Sequence, residues 1–331
     1  MIKHLAKRFG IALFTLILAS FMTFLILRAM PGDVVEMMSR SEAQSRGISL
    51  EDARKIVVNM LNYDPDEPIL RQMARYYGGL LRGNLGTSMY SRTLTVNQII
   101  AETLPWTLFV LSISLILSFF IGTRLGMLMA WKRNSFINPV ISVYSIITTA
   151  IPNFIFGILL ILIFGIKLKW FPLVGAYSPN IKPGFTLEFI LDVLYHAALP
   201  ILTYVLTSVG MWALQMRGAA MNVLGEDYIT AARARGIPDN LIRKRYVKKN
   251  AMLPMVTHLA MSFGTMVGGS TLIESTFSYP GMGAFIAQAT AQRDYTMMQG
   301  MLLVTSFAVI LANLIADLLY SKLDPRVKTE G

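Results

Sequence analysis

Residues 138–166 read NPVISVYSIITTAIPNFIFGILLILIFGI and contain no charged side chain. A helix of about 20 residues crosses the hydrocarbon core of a bilayer, so this stretch is long enough to span one. Pro152 interrupts it, which a membrane helix tolerates where neighbouring helices satisfy the freed carbonyl group. The stretch therefore predicts a helix embedded in a membrane.

Five further apolar stretches have the length of a membrane span. Only 15% of the residues are charged, against about 25% in soluble domains, and the charges collect between the stretches. We therefore predict an all-α polytopic membrane protein with six transmembrane helices. The five further spans cover residues 9–29, 104–130, 196–216, 251–273 and 300–321.

Lysine and arginine are distributed unevenly among the loops. Residues 217–249 carry eight of them, whereas the short loops 167–195 and 274–299 carry three and one. Because basic residues accumulate on the cytoplasmic side, both termini are expected in the cytoplasm. The net charge of +11 then reflects cytoplasmic loops that meet anionic membrane lipid, and no nucleic-acid partner is expected.

The spans divide the chain into three parts. Residues 1–30 form the N-terminal tail and a first span that is too long for a signal peptide. Residues 31–103 form an extracytoplasmic subdomain, and residues 104–331 form a transmembrane core with the cytoplasmic loop 217–250. The first outer loop escapes the charge rule because it is long.

Two helices are predicted in the extracytoplasmic subdomain. Ser49-Leu50-Glu51-Asp52 resembles a capping box that opens a helix reaching about Asn62. A second helix runs from Pro68 to Arg82 and stops at Gly83, because its apolar residues keep helical spacing. The sequence leaves open whether the subdomain contacts a ligand or only packs.

No constellation for catalysis, metal binding or cofactor binding is evident. The chain has no cysteine, and its three histidines are scattered. Residues 264–271 nearly match a phosphate-binding loop, but Ser270 replaces the essential lysine, so we predict helix packing through small residues. A membrane enzyme, the first rival interpretation, would need a paired acid and base or a nucleophile at membrane depth.

The longest cytoplasmic loop contains the sequence GEDYITAARARGIP at residues 225–238. Asp227 can cap a helix whose two turns cover residues 228–235, and Gly236 suits the left-handed position that ends it. Pro238 then starts the next helix. This pattern favours a rigid helix set across the ends of the spans, although an amphipathic helix lying in the lipid headgroups remains an alternative.

This stretch resembles the EAA loop of ATP-binding cassette importer permeases. The resemblance rests on Ala231, Ala232 and Gly236, followed by Leu253-Pro254 at the start of the next span. Thr230 stands where the broad family often has glutamate. That departure matches the dipeptide/oligopeptide branch, whose DYxxTARAKG pattern is similar to residues 227–236, with Arg235 in place of its lysine. Further blocks similar to that branch lie at residues 30–33, 83–88, 277–283, 293–295, 299–300 and 323–326.

The resemblance implies the type I importer permease fold and one half of a heterodimeric membrane core. The implied partners are a second homologous permease, two cytoplasmic ATPase subunits that hydrolyse the ATP, and an extracytoplasmic solute-binding protein. The cargo would be a di- or oligopeptide, with nickel chelates, glutathione or oligosaccharides as alternatives. The second rival interpretation, an ion-coupled secondary transporter, would instead transport alone on an ion gradient.

The resemblance also assigns roles to residues. Residues 227–236, including Thr230, would form a coupling helix that docks on the ATPase. Ala231, Ala232 and Gly236 would allow close packing, while Asp227 would cap the helix and Tyr228 and Arg235 would contact the ATPase.

Polar residues inside spans are candidates for the translocation pathway, because they are costly in hydrocarbon. Asn153, at the break after Pro152, and Asn313 are the two we select. The turn from Tyr279 to Gly283 is interpreted either as a re-entrant element at a cavity mouth or as a tight connection before a surface helix.

Overall fold

The computed structural model describes residues 2–30, 32, 34–61, 63–91 and 93–323. The helical prediction is confirmed, because these residues form helices and no strand. Two π-helical turns, Ile161–Lys167 and Ile242–Val247, extend α7 and connect α10 to α11. The α-helices are α1 (Ile2–Ala29), α2 (Val34–Arg46), α3 (Leu50–Leu61), α4 (Ile69–Leu80), α5 (Val96–Trp131), α6 (Ile137–Ala150), α7 (Asn153–Leu160), α8 (Leu187–Leu224), α9 (Asp227–Ala234), α10 (Asp239–Leu241), α11 (Lys248–Thr276), α12 (Met282–Gln292) and α13 (Tyr295–Leu323).

Four single helices within the described residues are long and apolar enough to cross a membrane. They occupy Ala6–Ala29, Val96–Trp131, Leu187–Leu224 and Tyr295–Ala316. Two bent pairs pass the same test, so the expected six spans result if each pair crosses once. The pairs are Ile137–Ala150 with Asn153–Lys167, bent by 100°, and Asp239–Val267 with Ser270–Thr276, bent by 55°.

The predicted third span is therefore broken, and the second and fourth spans start eight and nine residues earlier than predicted. Ile151 is extended (φ −100°, ψ 127°) immediately before Pro152, because proline disfavours helical backbone at the preceding residue. Helices α5 and α8 begin at Val96 and Leu187, since each extends beyond the apolar part that hydropathy detects.

The chain separates into two compact units. The first comprises Met1–Pro105 and Phe285–Phe307, and the second comprises Trp106–Ala284 and Ala308–Gly331. In the first unit, α2 packs against α3, with Val35 and Val57 fully buried. Helix α2 was not predicted, because its sequence VVEMMSRSEAQSR is mostly polar.

Both helices predicted within residues 31–103 are present. The Asp52 amide donates to Ser49 Oγ at 3.1 Å, as a capping box requires. Pro68 is the N-cap of α4, and Gly83 adopts φ +71° shortly after its end. The helix bounds thus lie within two residues of those predicted, and Asn62 lies outside the described residues.

In the second unit, α5 and α8 pack at very short range. A Cβ atom at Gly122 would lie 2.4 Å from Trp212 Cβ, and one at Gly126 would lie 2.2 Å from the Ala213 carbonyl oxygen. Two glycines four residues apart allow membrane helices to approach closely. Residues 264–271 also lie inside a helix. Within that stretch Gly264 has the predicted packing role, because a Cβ there would be 3.1 Å from Val309 Cα.

Candidate functional site

The two-turn helix α9 belongs to the second unit and packs against its core through two side chains. Ile229 is fully buried and Ala232 is 4% exposed. Both belong to one apolar cluster with Met216 of α8 and Met255 of α11, which lie in the fourth and fifth spans. The helix therefore has an inner face fixed to two spans.

The outer face of α9 consists mostly of predicted site residues. Asn250 of α11 donates to the Tyr228 hydroxyl at 3.3 Å, which adds a polar contact to the apolar ones. The Tyr228 ring remains 40% exposed. The exposed members of the predicted set are Asp227, Tyr228, Thr230, Ala231, Arg235 and Gly236.

Two predicted roles need correction. Asp227 is not the cap: Glu226 occupies the N-cap position (φ −76°, ψ 144°) without a capping side-chain hydrogen bond, and Asp227 is the first helical residue. The Gly225 and Glu226 amides still bond to the Asn222 and Val223 carbonyls, so α9 starts at once after α8. Asp227 instead favours the helix through its charge. Ala232 packs inward, so it offers no surface to a partner.

The end of α9 has the predicted geometry. Gly236 adopts φ +70°, and its amide donates to the Arg233 carbonyl at 2.9 Å, while the Ile237 amide donates to the Ala232 carbonyl at 3.2 Å. This pair of hydrogen bonds is a Schellman motif, which satisfies carbonyls at the helix end. Pro238 then serves as the N-cap of α10.

A basic crevice, which the sequence did not predict, lies beside α9. Its volume is about 670 Å³, and its charged residues are Lys132, Arg133, Arg233 and Asp239. Asn138 holds the turn between α5 and α6 by donating to the Lys132 and Arg133 carbonyls at 3.0 and 2.6 Å. The Lys132-Arg133 pair was the available signal, but only the fold brings it to α9.

The two pathway candidates lie on different helices of the second unit. Asn153 is the first residue of α7, directly at the 100° bend, and Asn313 lies in α13. Both are exposed on the isolated chain. A polar side chain in a span faces protein or a water-filled cavity more cheaply than lipid, so these positions suit a pathway or a partner.

Several of the sequence blocks come together in the first unit around Asp294. This side chain is 1% exposed. It accepts hydrogen bonds from Ser88 Oγ at 2.5 Å, from the Tyr90 amide at 3.2 Å and from the Met297 amide at 2.9 Å. Asp294 thus caps α13 and also holds residues 88–90.

Glycines and a tyrosine complete this junction. The Tyr295 hydroxyl donates to the Gly32 carbonyl at 2.6 Å. A Cβ at Gly86 would lie 2.6 Å from Thr296 Cγ2, and one at Gly300 would lie 2.5 Å from Val96 Cγ1. The blocks therefore have a packing role here. Pro31, Asp33 and residues 324–326 of the remaining blocks lie outside the described residues.

Asp294→Ala should destabilise the first unit strongly. Loss of an N-cap costs about 1 kcal/mol, and each buried donor left without a partner costs about 1–3 kcal/mol. We expect a lower unfolding temperature of the purified chain and faster proteolysis within residues 31–103. Glu36→Ala is the control, because Glu36 forms an exposed ion pair with Arg40 on the surface. Equal effects of the two changes would contradict the capping role.

The block at residues 277–283 forms a tight connection to α12. Ser278 adopts φ +46°, and the Tyr279 amide donates to the Glu274 carbonyl at 2.9 Å. Helix α12 follows at Met282. Of the two interpretations, the connection before a helix is therefore the one that the backbone supports.

Long apolar helices, two broken spans and a short exposed helix fixed to two of the spans define a polytopic membrane protein of the transport type. Residues 122–329 match the family model described as "Binding-protein-dependent transport system inner membrane component". The chain belongs to this family of permease components of ATP-binding cassette importers and has its type I importer permease fold.

Similar proteins extend the match to the residues before 122. The chain is 32% identical over 330 residues to the oligopeptide transport system permease protein AppB of Bacillus subtilis (strain 168), covering 99% of this chain and 100% of AppB. It is 30% identical over 328 residues to the glutathione transport system permease protein GsiC of Escherichia coli O6:H1, covering 99% of both. The ion-coupled alternative is thereby set aside.

Proposed function

We propose that this chain is one half of a heterodimeric permease core that imports di- or oligopeptides across the cytoplasmic membrane. A second homologous permease would complete the core, and an extracytoplasmic binding protein would deliver the cargo. Two cytoplasmic ATPase subunits would hydrolyse the ATP, so the chain itself is not an enzyme. The names of the similar proteins support peptides as cargo, with glutathione as the second candidate.

The observation that carries this proposal is the two-sided character of α9. Its inner face is buried against α8 and α11 through Ile229 and Ala232, whereas Tyr228, Ala231 and Arg235 face outward. A helix built this way passes a displacement of its outer face to two spans. Nucleotide-driven closure of the ATPases would thereby switch the permease between two arrangements.

The proposed topology places both termini and α9 in the cytoplasm and residues 31–103 outside. The absence of cysteine allows single-cysteine labelling without background. In intact cells, a membrane-impermeant maleimide should label Leu81→Cys, whose position is 89% exposed, and should reach Ala231→Cys only after permeabilisation. The reverse pattern would overturn the orientation and the coupling role together.

Reconstitution tests the function itself. Vesicles containing this chain, its second permease and the ATPases should accumulate peptide when the binding protein and ATP are supplied. The chain alone should not transport on a proton or sodium gradient, and uptake under that condition would overturn the proposal. Mass spectrometry of the ligand held by the binding protein separates peptides from glutathione, nickel chelates and oligosaccharides.

The basic crevice predicts which part of the ATPase lies against α9. The crevice has a net positive charge, because it is lined by three basic residues and one acidic residue, namely Lys132, Arg133, Arg233 and Asp239. We therefore propose that it receives an acidic edge of the ATPase. Arg233→Glu should weaken ATPase binding about tenfold, which corresponds to about 1.4 kcal/mol, because like charges would then meet. Lys182→Glu, an exposed change in the predicted outer loop 167–195, is the control, and equal affinities in a pull-down titration would refute this contact.

We also propose that Asn153 and Asn313 line the translocation pathway. Asn153 is the more informative, because it sits where the third span is broken. Single cysteines at the two positions should become accessible to a small aqueous reagent in one nucleotide state of the complex and protected in the other. Protection in every state would indicate contact with lipid or a permanent interface.

A further inference from the structure

A buried carboxylate lies in the fifth span, beyond its bend. Glu274 belongs to the short segment Ser270–Thr276 and is only 2% exposed. Carboxylates are costly at membrane depth and are kept there for a purpose. Among the described residues, no basic side chain forms an ion pair with Glu274, so its carboxyl group is stabilised by hydrogen bonds instead.

That stabilisation comes from the first turn of α12, together with the hydroxyl groups of Thr107 and Ser270. Glu274 Oε2 accepts hydrogen bonds from the Gly283 amide at 2.6 Å and from the Ala284 amide at 3.3 Å. The preceding Met282 amide donates to Thr107 Oγ1 of α5 at 2.8 Å. These amides have no partner inside their own helix, and a carboxylate is their strongest acceptor because of its charge and the helix dipole.

The contact between Glu274 and the start of α12 requires glycine at positions 281 and 283, because a side chain at either position would overlap neighbouring atoms. A Cβ at Gly281 would lie 2.3 Å from Glu274 Oε2, and a Cβ at Gly283 would lie 2.6 Å from both the backbone nitrogen and Cα of Thr271. The turn therefore folds directly onto the segment that carries the carboxylate. Because the Tyr279 amide also bonds to the Glu274 carbonyl, both the backbone and the side chain of Glu274 hold the turn.

Two tyrosines give the site a second possible arrangement. Tyr204 and Tyr279 are buried in one cluster with Ile273, and within the described residues neither hydroxyl has a hydrogen-bond partner. Burial and then the negative charge of Glu274 raise the pKa of the Tyr279 phenol. These hydroxyls are donors that could serve the carboxylate once it leaves the amides of α12.

We infer that Glu274 is a positioning residue that latches the start of α12 to the bent end of the fifth span. While the latch is closed, the bent segment, the 277–283 turn and the first turn of α12 move as one body. The fifth span also contacts α9 through the cluster that contains Met255. A movement of this span would then move α12 as well. This role rests on the proposed function, because it matters only if α9 is moved by an ATPase.

Glu274→Gln is the decisive variant, since it keeps the shape of the side chain and removes its charge. In the reconstituted complex we expect ATP hydrolysis to persist while peptide uptake per ATP falls about tenfold, because the neutral amide of glutamine is a weaker acceptor than a carboxylate. A cysteine introduced on α12 by Gln288→Cys should be labelled at a rate that depends on the bound nucleotide. When Glu274→Gln is added to the same complex, that dependence on nucleotide should disappear. Glu188→Gln, an exposed acid in the first turn of α8, is the matched control.

The outcomes for Glu274→Gln determine whether the latch proposal holds. Normal uptake per ATP and normal nucleotide-dependent labelling in Glu274→Gln would overturn it, and so would loss of hydrolysis and uptake together in an assembled complex. If the variant does not assemble, Thr107→Val takes its place. It leaves the carboxyl group of Glu274 in position but removes the hydroxyl group that bonds to the Met282 amide and to Glu274. It should weaken coupling in the same direction, and an unaltered ratio of uptake to ATP hydrolysis would count against the latch.

Hydrogen exchange separates the latch from the proposed function. In the purified complex the Gly283 and Ala284 amides should exchange at least about tenfold faster in Glu274→Gln, since their strong acceptor is lost. This measurement needs no transport. Failure of ATP-driven uptake in the unaltered complex would overturn the function alone, whereas unchanged exchange rates would overturn the latch alone.

Discussion

Gly126→Val should prevent the second unit from folding. A Cβ at this position would lie 2.2 Å from the Ala213 carbonyl oxygen and 2.8 Å from Met216 Cβ. The first of these atoms belongs to the backbone of α8 and cannot rotate away. We therefore expect a cost above about 3 kcal/mol, the upper end of ordinary overpacking, because two helices must separate.

The measurement is the yield of folded chain in the membrane and its unfolding temperature in detergent. Gly218→Val is the matched control, because Gly218 lies in α8 and a Cβ there would meet nothing within 4 Å. The control should retain nearly normal yield. Similar losses for both variants would mean that the effect comes from valine in a membrane helix and not from the contact between α5 and α8.

Gly236→Val should uncouple ATP hydrolysis from uptake while the chain still inserts. No atom obstructs a side chain there, so the whole effect comes from φ +70°. The left-handed conformation costs about 1–2 kcal/mol for an ordinary L-residue and more for a β-branched one. A cost above about 1.4 kcal/mol lowers the population of the correctly ended helix by more than about tenfold.

The matched control is Gly236→Asn, because asparagine adopts the left-handed region more readily than other residues with a side chain. Uptake per ATP should fall about tenfold in the valine variant and much less in the asparagine variant, as the conformational cost differs while the space is equally open. Equal losses would indicate that the ATPase requires a bare backbone at this position. Full uptake with valine would remove the coupling role of α9.

The features that the sequence predicted are those that depend on local chemistry. Apolar length predicts spans, because every backbone group in lipid must be satisfied within a helix. Gly236 and Pro238 determine where α9 ends and α10 begins, so those bounds could be read directly. The sequence predicted Asp227 as the N-cap of α9, whereas the structure has Glu226 there. Aspartate is the better capping residue by type, but the course of the chain after α8 determines which residue occupies the cap position.

The features that escaped prediction depend on distant parts of the chain. Glu274 and Asp294 are buried carboxylates whose partners are largely backbone amides, and no amide can be recognised from a side-chain pattern. Gly122 and Gly126 are informative only once Trp212 and Ala213 are known to face them. The charges of the crevice likewise acquire meaning only when the turn after α5 is placed beside α9.

The π-helical turn Ile242–Val247 lies under α9, and both of its end residues are fully buried in the cluster that seats this helix. A π turn accommodates one residue more than an α turn over the same rise. Removing one residue there would shift the register between α9 and α11 by about 100° around the helix axis, because an α-helix has 3.6 residues per turn. Since α9 is also held by the end of α8, such a deletion would strain the attachment of α9 between the two spans without altering any side chain on its outer face.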